Sequence, residues 1–129
     1  MNADALIYEY ATVRYVPDIE REEFVNVGLL MMCKRRRWFR SEFMLDETRL
    51  RAFDPAVDLP TLENQLRMFA SDSTALADLP VEERFRWFSA VKSCIIQTSR
   101  PHPGLIPPES SPEETFDRLF AALVKTLIF

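Results

Sequence analysis

The chain has 129 residues and a formal charge of −4, enough length for one domain that buries roughly two-thirds of the surface its unfolded form exposes. That acidity argues against a general nucleic-acid binder, because phosphate neutralisation needs a positive surface. The longest near-apolar run, Phe24 to Cys33, is too short to cross a bilayer. The first residues carry neither the basic start nor the cleavage site of a secretion signal. A cytoplasmic address is expected, with Cys33 and Cys94 as reduced, buried thiols.

In chain order, Ile7 to Leu45 reads as three consecutive antiparallel strands. The first is ended by Pro17, which has no amide hydrogen to give a ladder. An acidic link, Asp18 to Glu23, leads to the second strand, Phe24 to Cys33; a basic turn leads to the third, Trp38 to Leu45. Odd positions Val25, Val27, Leu29, Met31 and Cys33 are all apolar, as are Phe39, Phe43 and Leu45, so odd residues are expected on the core face. If odd residues of neighbouring strands share a face, paired numbers sum to an even value. Cys33 then faces Arg37 across a three-residue loop, and Arg14 faces Asn26. The same scheme puts Gly28 across from Thr12 and from Glu42.

Helices should follow. Asp46 can cap a short one with Leu50 and Phe53, stopping before Pro55. Asp58 and Pro60 open a second carrying Leu62, Leu66 and Phe69, before a loop at Ser71 to Thr74. Pro80 opens a third, with Val81, Phe85 and Phe88 on one stripe. Ser93 to Ser99 reads as a fourth strand running into Arg100 to Pro108, too proline-rich to be regular. Ser111-Pro-Glu-Glu114 is a strong helix start, and Phe116, Leu119, Phe120, Leu123 and Leu127 mark a final amphipathic helix. The expectation is a single α+β domain over residues 1–129: an antiparallel sheet of three to four strands, the meander first, packed on one side by about four helices.

Three groups of residues invite functional readings. Arg14 and Asn26 on one sheet face could grip a carboxylate or phosphate, with Gly28 leaving room beside them; alternatively Arg14 pairs with a carboxylate such as Glu23 and pins the loop. Ser99, His102 and Gly104 cluster around the proline-rich loop. His102 could serve as a base, although no Gly-x-Ser-x-Gly elbow frames the serine. A single histidine makes no metal site, and no cofactor is expected. Tyr8, Tyr10 and Trp38 share the even face and would form a partner-binding aromatic patch if no helix covers them. Five cations, Lys34 to Arg37 and Arg40, fall close together, leaving eleven basic against twenty acidic groups elsewhere. Such a hairpin tip could touch nucleic acid or simply keep a sheet end solvated.

The residues Tyr8-Glu-Tyr-Ala-Thr-Val-Arg-Tyr-Val-Pro17, Arg21-Glu-Glu-Phe-Val-Asn-Val-Gly28 and Ile95-Ile-Gln-Thr-Ser99, with His102 and Gly104, resemble a bacterial family of uncharacterised proteins, domain of unknown function 3037. The resemblance spans nearly the whole chain and implies a short stand-alone protein without assigned catalytic residues. It also implies a protein partner, of which a kinase encoded nearby, similar to the toxin kinase of persistence modules, is one candidate. The reading placed first is a non-enzymatic binding or regulatory module that contacts a partner protein or a small anionic ligand. The alternatives are a hydrolase-like or transfer enzyme using His102 with Arg14, and a nucleic-acid contact through Lys34 to Arg37. Homo-oligomerisation is left open, and no membrane association is expected.

Overall fold

The structure is a computed structural model that describes residues 5–67, 78–90, 93 and 95–125. Phe69, the Ser71 to Thr74 loop, Cys94 and Leu127 lie outside the described residues. The long strand β1 (Leu6–Tyr15) is the centre of an antiparallel sheet. On one side it pairs with β2 (Val25–Cys33), which pairs with β3 (Trp38–Phe43). On its other side it is shared by β4 (Ile96–Thr98) near its C-terminal end and β5 (His102–Ile106) along its N-terminal half. The acidic link holds a single 3-10 turn at Ile19–Arg21.

The sheet therefore has five strands, and the fifth lies in the stretch expected to be irregular. β4 and β5 amount to one interrupted edge strand. At the break, the Ser99 amide donates to the Thr12 carbonyl (2.9 Å) and the Thr12 amide donates to Ser99 Oγ (2.9 Å), so a hydroxyl stands in for a backbone acceptor. An edge position is where a sheet tolerates Pro103.

The register departs from uniform parity at two places. Val13 pairs with Gly28 while Arg14 pairs with Asn26, leaving Val27 as the extra residue of a β-bulge. Before the bulge Val25 and Val27 join Val13 and Tyr15 in one core; beyond it Leu30 takes that side, and Leu29, Met31 and Cys33 turn to the other. The odd positions of β2 thus do not form one face. The second departure is the hairpin. Its loop has four residues, since Cys33 pairs with Trp38, and Arg37 adopts a left-handed φ of 51°. Gly28 consequently sits across from Val13 and Phe43, not Thr12 and Glu42.

Both faces of the sheet are covered, which corrects the one-sided packing. On the first face α1 (Glu47–Phe53), α2 (Leu59–Leu66) and α3 (Val81–Ala90) bring Leu50, Leu62, Leu66, Phe85 and Phe88 onto Val13, Tyr15, Val25 and Leu30. On the second, α4 (Pro112–Leu123) lays Phe116, Leu119 and Phe120 on Leu29, Met31, Cys33 and Ile106. A central strand buried on both sides reads as a continuous apolar run, and that is why its parity misleads. The helix starts are as expected: Asp46, Asp58 and Ser111 side chains accept from the amides of Arg49, Thr61 and Glu114. No helix among the described residues is long and apolar enough to cross a membrane.

Candidate functional site

Arg14 and Asn26 are directly opposed across β1 and β2, immediately beside the bulge, and Gln97 of β4 opposes Arg14 on its other side. Directly paired residues of an antiparallel sheet project to one face, so Asn26, Arg14 and Gln97 form a polar row across three strands. Thr12, two residues back along β1, projects the same way and pairs with Leu29 of the α4-side core. The row meets the C-terminal end of α4. Asn26 Nδ2 donates to the Leu123 carbonyl (3.2 Å), and Arg49 Nη1 donates to the Val124 carbonyl (3.0 Å). Both bonds satisfy acceptors that a helix end leaves unmet.

The Arg14 guanidinium lies 4.0 Å from the centre of the Phe24 ring, a cation–π contact at a half-buried position. Burial pushes its pKa below the usual arginine value, yet a guanidinium stays charged at any neutral pH. Glu23 does not neutralise it, because Glu23 is paired with Arg21 at 2.8 Å. Four arginines are half-buried among the described residues. Arg40 reaches Asp117 and Glu42, Arg49 reaches the Val124 carbonyl and Arg84 Nε donates to the Leu79 carbonyl. Arg14 has no hydrogen bond or ion pair among the described residues. Its Nε, Thr12 Oγ1 and Asn26 Oδ1 are buried polar atoms without a partner, all three at this one site.

Of the other sequence candidates, Gly28 lies inside the bulge, where a Cβ would sit 3.0 Å from the Glu42 carbonyl oxygen. Gly104 pairs with Tyr8 and makes room for the Tyr8 ring, which is buried. Tyr8 stacks with Tyr10 at 6.1 Å, and Tyr10 with the exposed His102 at 5.3 Å. His102 opposes Tyr10, four positions along β1 from Arg14, a span of about 13 Å at roughly 3.3 Å per residue. Ser99 is spent on the Thr12 amide and the Arg100 carbonyl. Trp38 packs edge-on against Phe116 at 6.0 Å and donates its Nε1–H to Glu113. In the basic hairpin, Lys34 approaches Glu82 at 3.6 Å, beside a depression of about 460 Å³ that Arg37, Asp78 and Arg84 also line, a wall of mixed charge.

The structure thus brings Arg14 and Asn26 together, and sets His102 with Tyr10 and Tyr8. Thr12, Phe24 and Gln97 belong to the site and were not singled out in the sequence. Thr12 could have been found from its even parity with Arg14. Gln97 needed knowledge of which strand edge the fourth strand joins. Among the described residues no group of His, Cys, Asp and Glu could hold a metal ion.

No curated protein and no solved structure matches the chain. The profile of the family described as protein of unknown function (DUF3037) matches residues 10–124, a span that includes every element from β2 to α4 and the whole Arg14–Asn26 row. The chain belongs to that family.

Proposed function

We propose that this member of the DUF3037 family is a non-enzymatic binding or regulatory protein that captures the anionic group of a small ligand or of a partner protein at Arg14, Asn26 and Thr12. The observation that carries this reading is the set of three unmet buried polar atoms around one guanidinium. Each such atom costs about 1–3 kcal/mol in a folded protein, against a total stability of roughly 5–15 kcal/mol. Three in one place are tolerable where a ligand or ordered water completes them. An oxygen anion would receive charge-assisted hydrogen bonds from the guanidinium, the strong kind. The acidic body around it gives no long-range pull, so recognition rests on these short contacts.

Catalysis is not part of the proposal. His102 is the base that the enzyme reading needs, and its place beside Tyr10, well along β1 from Arg14, gives that reading no support.

Thermal unfolding at constant ionic strength tests the proposal. A carboxylate at ten times its dissociation constant stabilises by about 1.4 kcal/mol. For 129 residues the unfolding entropy is about 0.27 kcal/mol/K, which converts that to a rise of about 5 °C. The rise should vanish in Arg14→Gln. An equal response in that variant, or none in the native protein with any small anion, would overturn the proposal.

A further inference from the structure

We infer, resting on the reading that Arg14 holds an anion, that the ligand is a carboxylate with an amide N–H on the same carbon, the end group of an N-acylated amino acid. The complement of the three unmet atoms decides this. Arg14 Nε–H can only donate, so it calls for an oxygen acceptor. Asn26 Oδ1 can only accept, so it calls for a hydrogen donor. The carboxamide cannot escape by turning over. Its Nδ2 donates to the Leu123 carbonyl at 3.2 Å, and a flip would set two oxygens against each other. Thr12 Oγ1 can rotate its hydrogen either way and does not discriminate.

A ligand offering acceptors alone therefore leaves Asn26 unmet. A fully ionised phosphate monoester, sulfate or a simple carboxylate is of this kind. A free amino acid does carry a donor, but its ammonium would stand beside the guanidinium. An acylated amino acid carries acceptor and donor on adjacent bonds without a second positive charge. That spacing suits two side chains directly opposed on a sheet, whose Cβ atoms are about 5 Å apart. Phe24, 42% exposed and stacked on the guanidinium, offers apolar surface beside this end group. A peptide C-terminus and a free N-acyl amino acid share this chemistry.

Isothermal titration calorimetry with the whole chain tests the inference by varying the ligand, with Arg14→Gln as the control for the site. N-acetylphenylalanine should bind about tenfold more tightly than O-acetyl-phenyllactate, which replaces the N–H by an oxygen; one buried hydrogen bond lost is of that size. It should also outbind phenyl phosphate and free phenylalanine. Equal binding of the amide and the ester, with both lost in Arg14→Gln, overturns this inference and leaves the Arg14 site standing. Tighter binding of phenyl phosphate does the same. Absence of binding by all four probes overturns the inference and the site together. In a second arm, a short peptide ending in Phe competes with N-acetylphenylalanine while its C-terminal amide does not, if the source is a protein chain end. Competition by neither, with N-acetylphenylalanine still preferred over its ester, supports the same chemistry from a small molecule.

Discussion

The chain contains two glycines, and the structure predicts that replacing each by alanine fails for a different reason. A Cβ on Gly28 would meet the Glu42 carbonyl oxygen at 3.0 Å, Val13 Cβ at 3.2 Å and Phe43 Cβ at 3.3 Å. Every one of these is a backbone atom or a Cβ, present in any residue except glycine, so no truncation of a neighbour relieves the crowding. A Cβ on Gly104 meets only the far end of the Tyr8 ring. Overpacking of this kind costs about 1–3 kcal/mol, offset by roughly 0.4–1 kcal/mol from the stiffer unfolded chain. A net loss near 1.5 kcal/mol lowers the melting temperature by about 5–6 °C for a chain of this size. The assay is a double-mutant cycle in urea. Gly104→Ala should be destabilising alone and neutral or slightly stabilising in a Tyr8→Ala background. Gly28→Ala should cost the same in native, Val13→Ala and Phe43→Ala backgrounds. A neutral Gly28→Ala, or its rescue by either truncation, refutes the reasoning about the bulge.

Other outcomes follow from the same structure. Phe116→Ala removes a fully buried ring from the α4 layer and should cost about 3–5 kcal/mol; with Trp87→Phe as background, Trp38 emission should shift to the red as its edge contact is lost. Burial and the 2.5 Å bond to Asp54 raise the Tyr15 pKa. A raised folded pKa means a contribution fully present below the unfolded value of about 10 and lost as pH rises through the folded value. Alkaline unfolding should therefore be less steep in Tyr15→Phe. Hydrogen bonds from the side chain and amide of Thr61 depress the Asp58 pKa, so its contribution is present above about pH 4 and lost as acid protonates it. The stability of Asp58→Ala should change less than that of the native protein between pH 5 and about pH 3 by urea titration.

Much of this architecture was legible in the residues. The capping signals at Asp46, Asp58 and Ser111 place three helix starts because a cap is a local event, settled by a side chain and an amide three residues on. The pairing of Arg14 with Asn26 is readable from parity because odd residues of β1 and β2 do share a face on that side of the bulge, so the paired numbers still sum to an even value there. The rest of the register was hidden, since Val27-Gly28-Leu29-Leu30 is apolar at both parities and a one-residue bulge leaves no trace in such a run. Arg37 in a left-handed conformation lengthens the second hairpin by one residue, and nothing in Lys34-Arg-Arg-Arg37 signals it. α4 was plain as a helix, but an amphipathic stripe does not say which face of a sheet it covers. Its arrival on the Tyr8, Trp38 and Asn26 side decides between an open and a covered aromatic patch, and leaves the patch largely covered. The site itself was half visible. The pair was readable, whereas the missing partner of Arg14 depends on Glu23 choosing Arg21, a decision made only in three dimensions.

The central claim is that Arg14 waits for an oxygen anion. Nitrogen–proton correlation spectra resolve arginine Nε–Hε groups, and the Arg14 signal is the one to follow while N-acetylphenylalanine is added. The account predicts a saturable downfield shift and slowed exchange of that proton with water, with Arg40, Arg49 and Arg84 unmoved. An Arg14 Nε–Hε signal indifferent to added carboxylate would contradict it.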